Sequence, residues 1–382
     1  MSGPFAAAVS EHPVTAHAVG EVVGQVLERG GPGPDLALLF VTTHHAGALE
    51  DAATAVRATL GPRTLLGCTA ESVVGPAREV ELSPGVALWA GFTGPVTPVV
   101  LEAVPGDDLP LLSGWPQSLP PGAHTLLLLA DPYTMPVDAL LARINEDHPG
   151  LTVIGGNASG ARGPGGARLL CDSSILTRGA VGCFVGDGVQ VGTLVSQGCR
   201  PIGTPLVVTR AERNVIYEIA GRPALERLGE IVAAASEEER RLLGTGLHLG
   251  LVIDEHKASF GRGDFLVRNV LGADRANGAI AVGDVCGVGT TVQFHVRDAA
   301  TADEDLRAML AEAGGAQAAL LFTCNGRGRR LFAEPDHDAR LVTEALGNAP
   351  LAGFFCAGEI GPVGGRNFLH GFTAVVALLR AR

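Results

Sequence analysis

The sequence GCTAESVVGP at residues 67–76 recurs as GGNASGARGP at 155–164 and as GFFCAGEIGP at 353–362. Each copy begins with glycine, continues through seven variable positions and ends in Gly-Pro. Each also follows an apolar run and a helical stretch at a similar interval, and precedes another apolar run. The repeating unit is therefore a whole supersecondary module, and the sequence predicts three of them.

Each predicted module opens on a continuous apolar strand, passes through a helix and returns through a short second strand into the Gly-Pro signature. Unbroken apolar runs are typical of strands that are buried on both faces of a sheet. Opening strands are predicted at 36–41, 125–129 and 318–322, helices at 46–60, 136–146 and 337–346, second strands at 64–66, 151–154 and 350–352, and closing strands at 86–90, 181–185 and 373–379, with hairpin partners before them at 79–82, 168–171 and 367–370. The resulting pattern, β-α-β-turn-β-β, predicts an α/β fold of mixed parallel and antiparallel sheets and argues against a solenoid.

A chain of 382 residues is longer than one ordinary hydrophobic core supports, so two domains are expected. We predict them at residues 35–210 and 211–382. Between the second and third modules the sequence contains no copy of the signature. In that region Ser236 and Glu239 have the spacing of a capping box, and Thr301 is predicted to cap another helix.

Composition limits the classes of partner. Lys and Arg number 28 against 40 Asp and Glu, giving a formal net charge of -12, and no basic stripe suited to nucleic acid is visible. No stretch is long and apolar enough to span a bilayer, and the N-terminal residues lack the regions of a signal peptide. We therefore expect a cytoplasmic protein that neither binds nucleic acid nor inserts into a membrane.

The rarer residue types indicate source and redox chemistry. Lys257 is the one lysine, and the abundance of alanine and glycine is typical of a high-GC bacterial source. Seven widely spaced cysteines, without any Cys-x-x-Cys, predict neither a disulfide framework nor a zinc site. No cofactor or metal is expected from these residues.

Several stretches together resemble the FIST family, which pairs an N-terminal with a C-terminal FIST domain. They are FTCNGR at 322–327, the third signature with Leu369-His370-Gly371, NVIYEIAGRPAL at 214–225, DFLVRN at 264–269, VQFHVRD at 292–298 and LLGCTA at 65–70. The resemblance covers about residues 35–379. It implies an intracellular sensory module for signal transduction that binds a small ligand, with amino acids as the expected class, and that has no established enzymatic activity.

The resemblance also bears on partners and cofactors. Because the chain shows no kinase or methyl-acceptor segment, we expect the signal to pass to a separate signalling protein. The resemblance extends to relatives of similar fold that are described as binding haem, so it implies a haem-binding gas sensor as an alternative. The adjacent histidines at 44–45 follow the first opening strand, but neighbouring strand residues point in opposite directions, which disfavours two ligands for one ion.

A candidate ligand site follows the opening strand of the third module. Ligands bind at the carboxyl ends of strands in open α/β sheets, and glycine lets backbone approach a ligand closely. Cys324, Asn325 and Arg327 lie there; the amide can donate and accept, and the guanidinium can hold a carboxylate with two parallel bonds. Gly358 and Glu359 lie in the third signature, where the carboxylate would suit an ammonium group. An Arg and a Glu facing one pocket would recognise a zwitterion.

Three further residues complete the candidate ligand site, and each residue has a structural alternative. Arg268 follows an apolar run and would otherwise pair with a nearby aspartate, while Gln293 lies on a strand face that is either wet or lines a pocket. His370 would otherwise be a hydrogen-bonded core residue. For Arg327 the alternative is a solvated turn, and for Glu359 an anchor for backbone N–H groups of its own turn.

A cysteine-dependent acyl-transfer enzyme is a hypothesis of a different class. Cys324 or Cys356 would be the nucleophile, His370 or His295 the base, and the glycine-rich turns the oxyanion donors. The apolar neighbours of Cys356 argue against it, because an apolar setting raises the pKa of a thiol. No convincing catalytic constellation emerges, and we do not expect an enzyme.

Overall fold

The computed structural model describes residues 3–104, 111–244 and 246–382. Packing divides the chain into two compact units, a first unit of residues 1–195 and 306–382 and a second unit of residues 196–305. The predicted domains were residues 35–210 and 211–382. Their boundary differs from the two unit boundaries, which follow residues 195 and 305. Among the described residues, no helix combines the length and apolar character that crossing a membrane requires.

Strands outnumber helices among the described residues, and they follow one another in runs between the helices. The helices are α1 (Thr15–Gly30), α2 (Leu49–Leu60), α3 (Val137–Asp147), α4 (Ala224–Ala234), α5 (Glu237–Leu243), α6 (Ala299–Ala311) and α7 (His337–Ala345), with 3-10 turns at Thr43–Ala48 and Gly328–Arg330. The strands are β1 (Phe5–Ser10), β2 (Leu36–Thr42), β3 (Thr64–Ala70), β4 (Val73–Gly75), β5 (Arg78–Val80), β6 (Val86–Gly91), β7 (Val96–Val104), β8 (Leu111–Ser113), β9 (Thr125–Ala130), β10 (Thr152–Asn157), β11 (Leu169–Cys171), β12 (Ser174–Leu176), β13 (Ala180–Val185), β14 (Val189–Gln197), β15 (Cys199–Glu212), β16 (Val215–Ile219), β17 (Arg222–Pro223), β18 (Leu247–Val252), β19 (Phe265–Asp274), β20 (Ala279–Val282), β21 (Thr291–Arg297), β22 (Ala318–Cys324), β23 (Leu351–Cys356), β24 (Glu359–Val363), β25 (Arg366–His370) and β26 (Thr373–Ala381).

The first unit contains one mixed sheet for each predicted module. The strand orders are β1-β6-β2-β3-β11-β12, β25-β24-β10-β9-β13-β7-β8 and β14-β26-β22-β23-β4-β5. In every sheet the opening and second strands of the module run parallel, and the closing strand pairs antiparallel with the opening strand. The α/β fold of mixed sheets built from repeated modules is therefore confirmed.

The hairpin of each module pairs with the sheet of another module. Hairpin β4-β5 of the first module extends the third sheet, β11-β12 of the second extends the first, and β24-β25 of the third extends the second. The predicted hairpin strands exist, but the prediction that they pair beside their own closing strands is wrong. A local reading of sequence favours neighbours along the chain, whereas the unpaired edge of a second strand accepts any extended segment that reaches it.

The first glycine of each signature is explained by close backbone contact. A Cβ atom added to Gly67, Gly155 or Gly353 would lie 2.0, 1.9 or 1.8 Å from the carbonyl oxygen of a leucine in the adjacent opening strand. No other residue type fits at that distance. The first glycine of the signature therefore marks the same close contact between the parallel opening and second strands in all three sheets.

The three sheets share one core and cover their outer faces separately. Aromatic residues from two sheets meet in it, with Phe40 and Phe354 at a ring-centroid distance of 5.0 Å and Phe322 and Phe354 at 5.7 Å. The second sheet adds Leu127 and Leu129 to the same cluster. Helices α1 and α2 cover the outer face of the first sheet, α3 that of the second, and α6 and α7 that of the third.

The second unit is a closed antiparallel barrel. Its strand order is β15-β21-β18-β19-β20-β16-β17, and the long strand β15 also pairs with β16, which closes the sheet. The capping box of Ser236 and Glu239 is confirmed at the start of α5. The predicted cap at Thr301 is wrong, because α6 begins at Ala299 and the Thr301 hydroxyl donates to Asp298 from inside the first turn.

Candidate functional site

The predicted site residues of the third module meet at the carboxyl ends of β22 and β23. Cys324 and Cys356 are partners in this parallel pair. The chain then turns sharply, with the Asn325 N–H donating to the Cys356 carbonyl at 3.0 Å and the Arg327 N–H donating to the Cys324 carbonyl at 2.8 Å. Glu359 begins β24 three residues after Cys356. The structure therefore brings the sequence-predicted strand ends together.

Arg327 is buried and forms an internal ion pair. Its side chain is 1 % exposed, and its Nε and Nη2 donate to the two carboxylate oxygens of Asp338 at 2.7 and 2.8 Å. The solvated-turn alternative is therefore wrong. The bidentate clamp that we expected for a ligand carboxylate is present, but it holds a carboxylate of the protein itself. Nη1 is buried and has no hydrogen-bond partner within the described part of the chain.

Asp338 is the centre of this buried polar cluster. It also accepts a hydrogen bond from the Thr323 hydroxyl at 2.8 Å, and its Oδ1 lies 2.9 Å from His337 Nδ1. Burial by itself would raise the pKa of Asp338, but the charge and hydrogen bonds of Arg327 outweigh it and hold that pKa well below its usual range. The pair is therefore ionised on both sides.

Glu79 connects the exchanged hairpin β4-β5 to this cluster. Its Oε1 accepts the backbone N–H groups of Asp338 at 2.9 Å and Ala339 at 3.0 Å, which lie at the start of α7. These N–H groups have no partner inside the helix, so the carboxyl group caps it. Burial, with the charge of Asp338, raises the pKa of Glu79 to about 8.

Glu359 is fully buried, and only one of its two oxygens is bonded to nitrogen or oxygen donors. Oε2 accepts the backbone N–H of Thr373 at 3.1 Å and its hydroxyl at 2.8 Å. Oε1 has no such partner among the described residues. Burial raises the pKa of Glu359 to about 8, although hydrogen bonds from Thr373 and the Cys324 thiol act in the opposite direction. Glu359 therefore does not anchor the N–H groups of its own turn, as the structural alternative supposed.

Near the turn at 356–359, two amide oxygens also lack a hydrogen-bond partner among the described residues. Oδ1 of Asn157 and Oδ1 of Asn325 are buried and lack a partner among the described residues. Asn157 is fixed by its backbone, whose N–H donates to the Gly358 carbonyl at 2.9 Å and whose carbonyl accepts from Ala357 at 3.0 Å. Together with Oε1 of Glu359, three such oxygens therefore lie on residues that belong to this turn or are hydrogen-bonded to its backbone.

Apolar side chains close the turn. A Cβ atom at Gly326 would lie 3.2 Å from the Phe372 ring, and one at Gly358 would lie 3.0 Å from Leu369 Cδ1. Gly358 has φ +129°, so its backbone conformation also favours glycine. At the place where the sequence analysis predicted a ligand pocket, the side chains of Phe372 and Leu369 thus lie against the turn.

The remaining candidates are bonded elsewhere. His370 pairs with Glu359 across the hairpin, and its Nε2 lies 3.0 Å from the Gly361 carbonyl oxygen, as a hydrogen-bonded core residue would. Arg268 and Gln293 belong to the second unit. There, Arg268 donates to Asp284 at 2.7 Å and Gln293 donates to the Gly203 carbonyl at 2.9 Å. Their ligand roles stay predictions.

The surroundings of Cys324 and Cys356 disfavour the thiolate form that a nucleophile needs. Burial, with the nearby carboxyl of Glu359, raises the pKa of the Cys324 and Cys356 thiols. A nucleophilic cysteine requires a lowered pKa that supplies thiolate near neutral pH. The buried setting of both thiols does not favour the acyl-transfer hypothesis, which stays a prediction.

The histidine pair at 44–45 is divided between two environments. His45 is buried with its Nδ1 2.9 Å from the Thr15 hydroxyl, and burial lowers its pKa, whereas His44 is exposed. Within residues 3–104, 111–244 and 246–382, no group of three or more His, Cys, Asp or Glu side chains is placed to hold a metal ion. Haem binding stays a prediction, and a Soret band in the purified protein would support it.

Sequence reasoning missed three polar residues of this site. Asn157 lies in the second signature, where only a turn was predicted, and Glu79 lies in a predicted hairpin strand. Asp338 lies in the first turn of a predicted helix. A buried acidic residue inside an apolar module is a usable signal, because such a group needs a partner. Which partner it finds depends on the exchange of hairpins between modules.

Comparison with known families agrees with the resemblance to the FIST family that the sequence motifs indicated. Residues 35–222 match the FIST N domain, and residues 224–362 match the FIST C domain. The chain belongs to the FIST family. FIST domains are sensory domains in signalling, and in this FIST chain the C-terminal match spans parts of both packing units.

The FIST chain also has full-length relatives in mycobacteria. An uncharacterized protein of Mycobacterium tuberculosis strain H37Rv is 46% identical over 377 residues, covering 97% of this chain and 98% of the relative. An uncharacterized protein of Mycobacterium bovis is 46% identical over 373 residues, covering 96% of each. These organisms agree with the bacterial source that composition indicates.

Proposed function

We propose that this FIST chain is a sensory module that binds a small polar ligand carrying an ammonium group, such as an amino acid, and passes the signal to a separate signalling protein. The observation that carries the proposal is the set of three buried acceptor oxygens around the turn at 356–359, on Glu359, Asn157 and Asn325. For each of the two asparagines, a buried acceptor without a donor costs about 1–3 kcal/mol, whereas Glu359 receives a weak hydrogen bond from the Cys324 thiol. An ammonium group has three N–H donors and no acceptor, which complements the set.

The ionisation of Glu359 supports the same ligand class. With a pKa of about 8, the side chain carries a proton near neutral pH, so both of its oxygens act as acceptors only after that proton is lost. An ammonium group beside it favours the carboxylate, so binding near pH 7 releases that proton. Ligand affinity is expected to rise as the pH is raised from 6 towards 8 and to level off above the pKa of Glu359.

The position of the site offers a route for the signal. Glu359 pairs with Gly156 of β10, so the third module enters the sheet of the second module at this residue. A ligand that reaches Glu359 must displace Phe372 or Leu369, which close the turn. Binding would therefore favour a conformation in which the exchanged hairpin β24-β25 is shifted, and a partner protein would recognise that population.

The experiment is a thermal-shift screen with amino acids and with matched acids that lack the amino group, such as alanine against propionate. A true ligand raises the melting temperature of the wild-type chain, and its deaminated partner does not. Glu359→Gln removes the shift, whereas the control Glu334→Gln, at an exposed position, retains it. Calorimetry in two buffers of different ionisation enthalpy then measures proton release. Equal shifts in both variants, or shifts without proton release, would exclude Glu359 as the ammonium acceptor.

A further inference from the structure

A second candidate site lies between α1 and α2, on the side of these helices that faces away from the first sheet. It is a groove with a volume of about 530 Å³. Along α1 it runs from Val14 to Leu27, which is about 20 Å at 1.5 Å per residue. Small and apolar side chains form nearly all of its lining, and Asp51 supplies the charge.

Two glycines, Gly20 and Gly24, leave this groove open, and no contact inside the described part of the chain requires them. A Cβ atom at Gly20 or Gly24 would have no atom within 4 Å. In the middle of a helix each glycine costs about 1 kcal/mol relative to alanine. Packing within the chain therefore does not explain them, whereas close approach of another backbone does.

The third module has a groove at the corresponding place, but the residues that line it are of a different kind. The corresponding space between α6 and α7 has a volume of about 460 Å³, and the charged residues Arg307 and Glu344 line it. No glycine lies within α6 (Ala299–Ala311) or α7 (His337–Ala345). Gly314 also lines this space, but it lies beyond the end of α6, so of these two grooves only the one beside α1 has glycines inside a helix and lacks a facing pair of opposite charges.

We infer that the groove binds an amphipathic, basic helix of a partner protein. A helix-in-groove contact needs an apolar floor of about this length and close approach of the two backbones. Asp51 lines the groove, and Glu28 is exposed one turn beyond Gly24, so lysine or arginine beside the apolar stripe of the partner complements the charge. A second copy of this chain is a poor occupant, because each copy carries a net charge of -12. The inference does not depend on the ligand site and goes beyond the proposed function.

The test selects 18-residue helical peptides from a randomised display library against the full chain. Enriched peptides are expected to have an apolar stripe at helical spacing with flanking lysine or arginine. Gly24→Leu fills the groove and Asp51→Lys reverses its charge, so each is expected to weaken peptide binding about tenfold or more. The matched controls Ala58→Leu and Glu50→Lys change exposed residues of α2 outside the groove lining and are expected to leave binding unchanged.

Melting curves keep the test interpretable, since replacing an exposed helical glycine by leucine is expected to preserve or raise stability. The inference is overturned if no peptide is enriched, or if enriched peptides are acidic or bind both groove variants normally. Sedimentation that reveals a dimer dissociated by Gly24→Leu would make a second copy the occupant instead. Binding of dodecylammonium, in place of peptides, to the same groove would make a small amphiphile the occupant.

Discussion

Charge at single buried residues decides what the site can bind. The guanidinium of Arg327 is neutralised by Asp338, so it does not offer a ligand the free clamp that its sequence position suggested. Glu359 lacks such a counter-charge bonded to it, and its raised pKa follows from burial. The sequence identified both residues as important, but residue types alone do not reveal which charge is already paired. That distinction depends on Asp338, eleven residues further along the chain.

The ion pair predicts a large difference between buried and exposed aspartates. Asp338→Asn leaves the Arg327 charge buried without its carboxylate, and we expect it to lower the free energy of unfolding by about 3–5 kcal/mol. The control Asp147→Asn breaks an exposed pair with Arg143, where N···O is 3.1 Å, and should cost less than about 1 kcal/mol. Denaturant unfolding measures both. Equal losses would show that Arg327 does not depend on Asp338.

Local sequence patterns suffice to predict where helices and strands lie, but they do not predict how the strands pair. Apolar runs and turn signals located the opening strands and helices of all three modules, because burial on both faces leaves a continuous pattern. The pairing of the hairpins was predicted wrongly, since it is settled by contacts between residues about 100 to 280 positions apart. Helix α1 was not predicted, although Val19, Val22, Val23 and Val26 have the period of a helix that packs on a sheet.

The same Gly→Ala substitution is predicted to have opposite effects at a signature glycine, Gly353, and at a glycine in α1, Gly20. Gly353→Ala puts a Cβ atom 1.8 Å from the Leu321 carbonyl oxygen, so β22 and β23 must separate, and we expect a loss of more than about 2 kcal/mol. Gly20→Ala, in the exposed part of α1, should instead gain up to about 1 kcal/mol. Melting temperatures of the two variants test this. A tolerated Gly353→Ala would contradict the backbone-contact explanation of the signature.

Across the whole molecule, the cyclic exchange of hairpins makes the three modules mutually dependent. Each sheet of the first unit is completed by strands of another module, and all three sheets contribute to one core. The barrel of the second unit has its own closed sheet and its own apolar cluster. Sequence repeats revealed the number of modules, but an exchange between them has no signature in any single copy.

This difference predicts how fragments behave. Residues 196–305 should fold alone and unfold cooperatively on heating, because the barrel sheet closes on itself. Residues 1–195 should not, since β4 lacks its partner β23 and β10 lacks β24. Circular dichroism and proton NMR dispersion of the two fragments provide the measurement. Cooperative unfolding of fragment 1–195 would show that the exchanged hairpins are dispensable.

The pairing of β4 with β23 also has a consequence during synthesis. Val74 must wait for Gly353, about 280 residues later, before its ladder can form. At about 5–20 residues per second, translation leaves that short strand without its neighbour for about 15–60 s. Throughout this interval the nascent polypeptide presents a bare apolar edge, so its yield in the cell should depend on ribosome-associated chaperones and on translation speed.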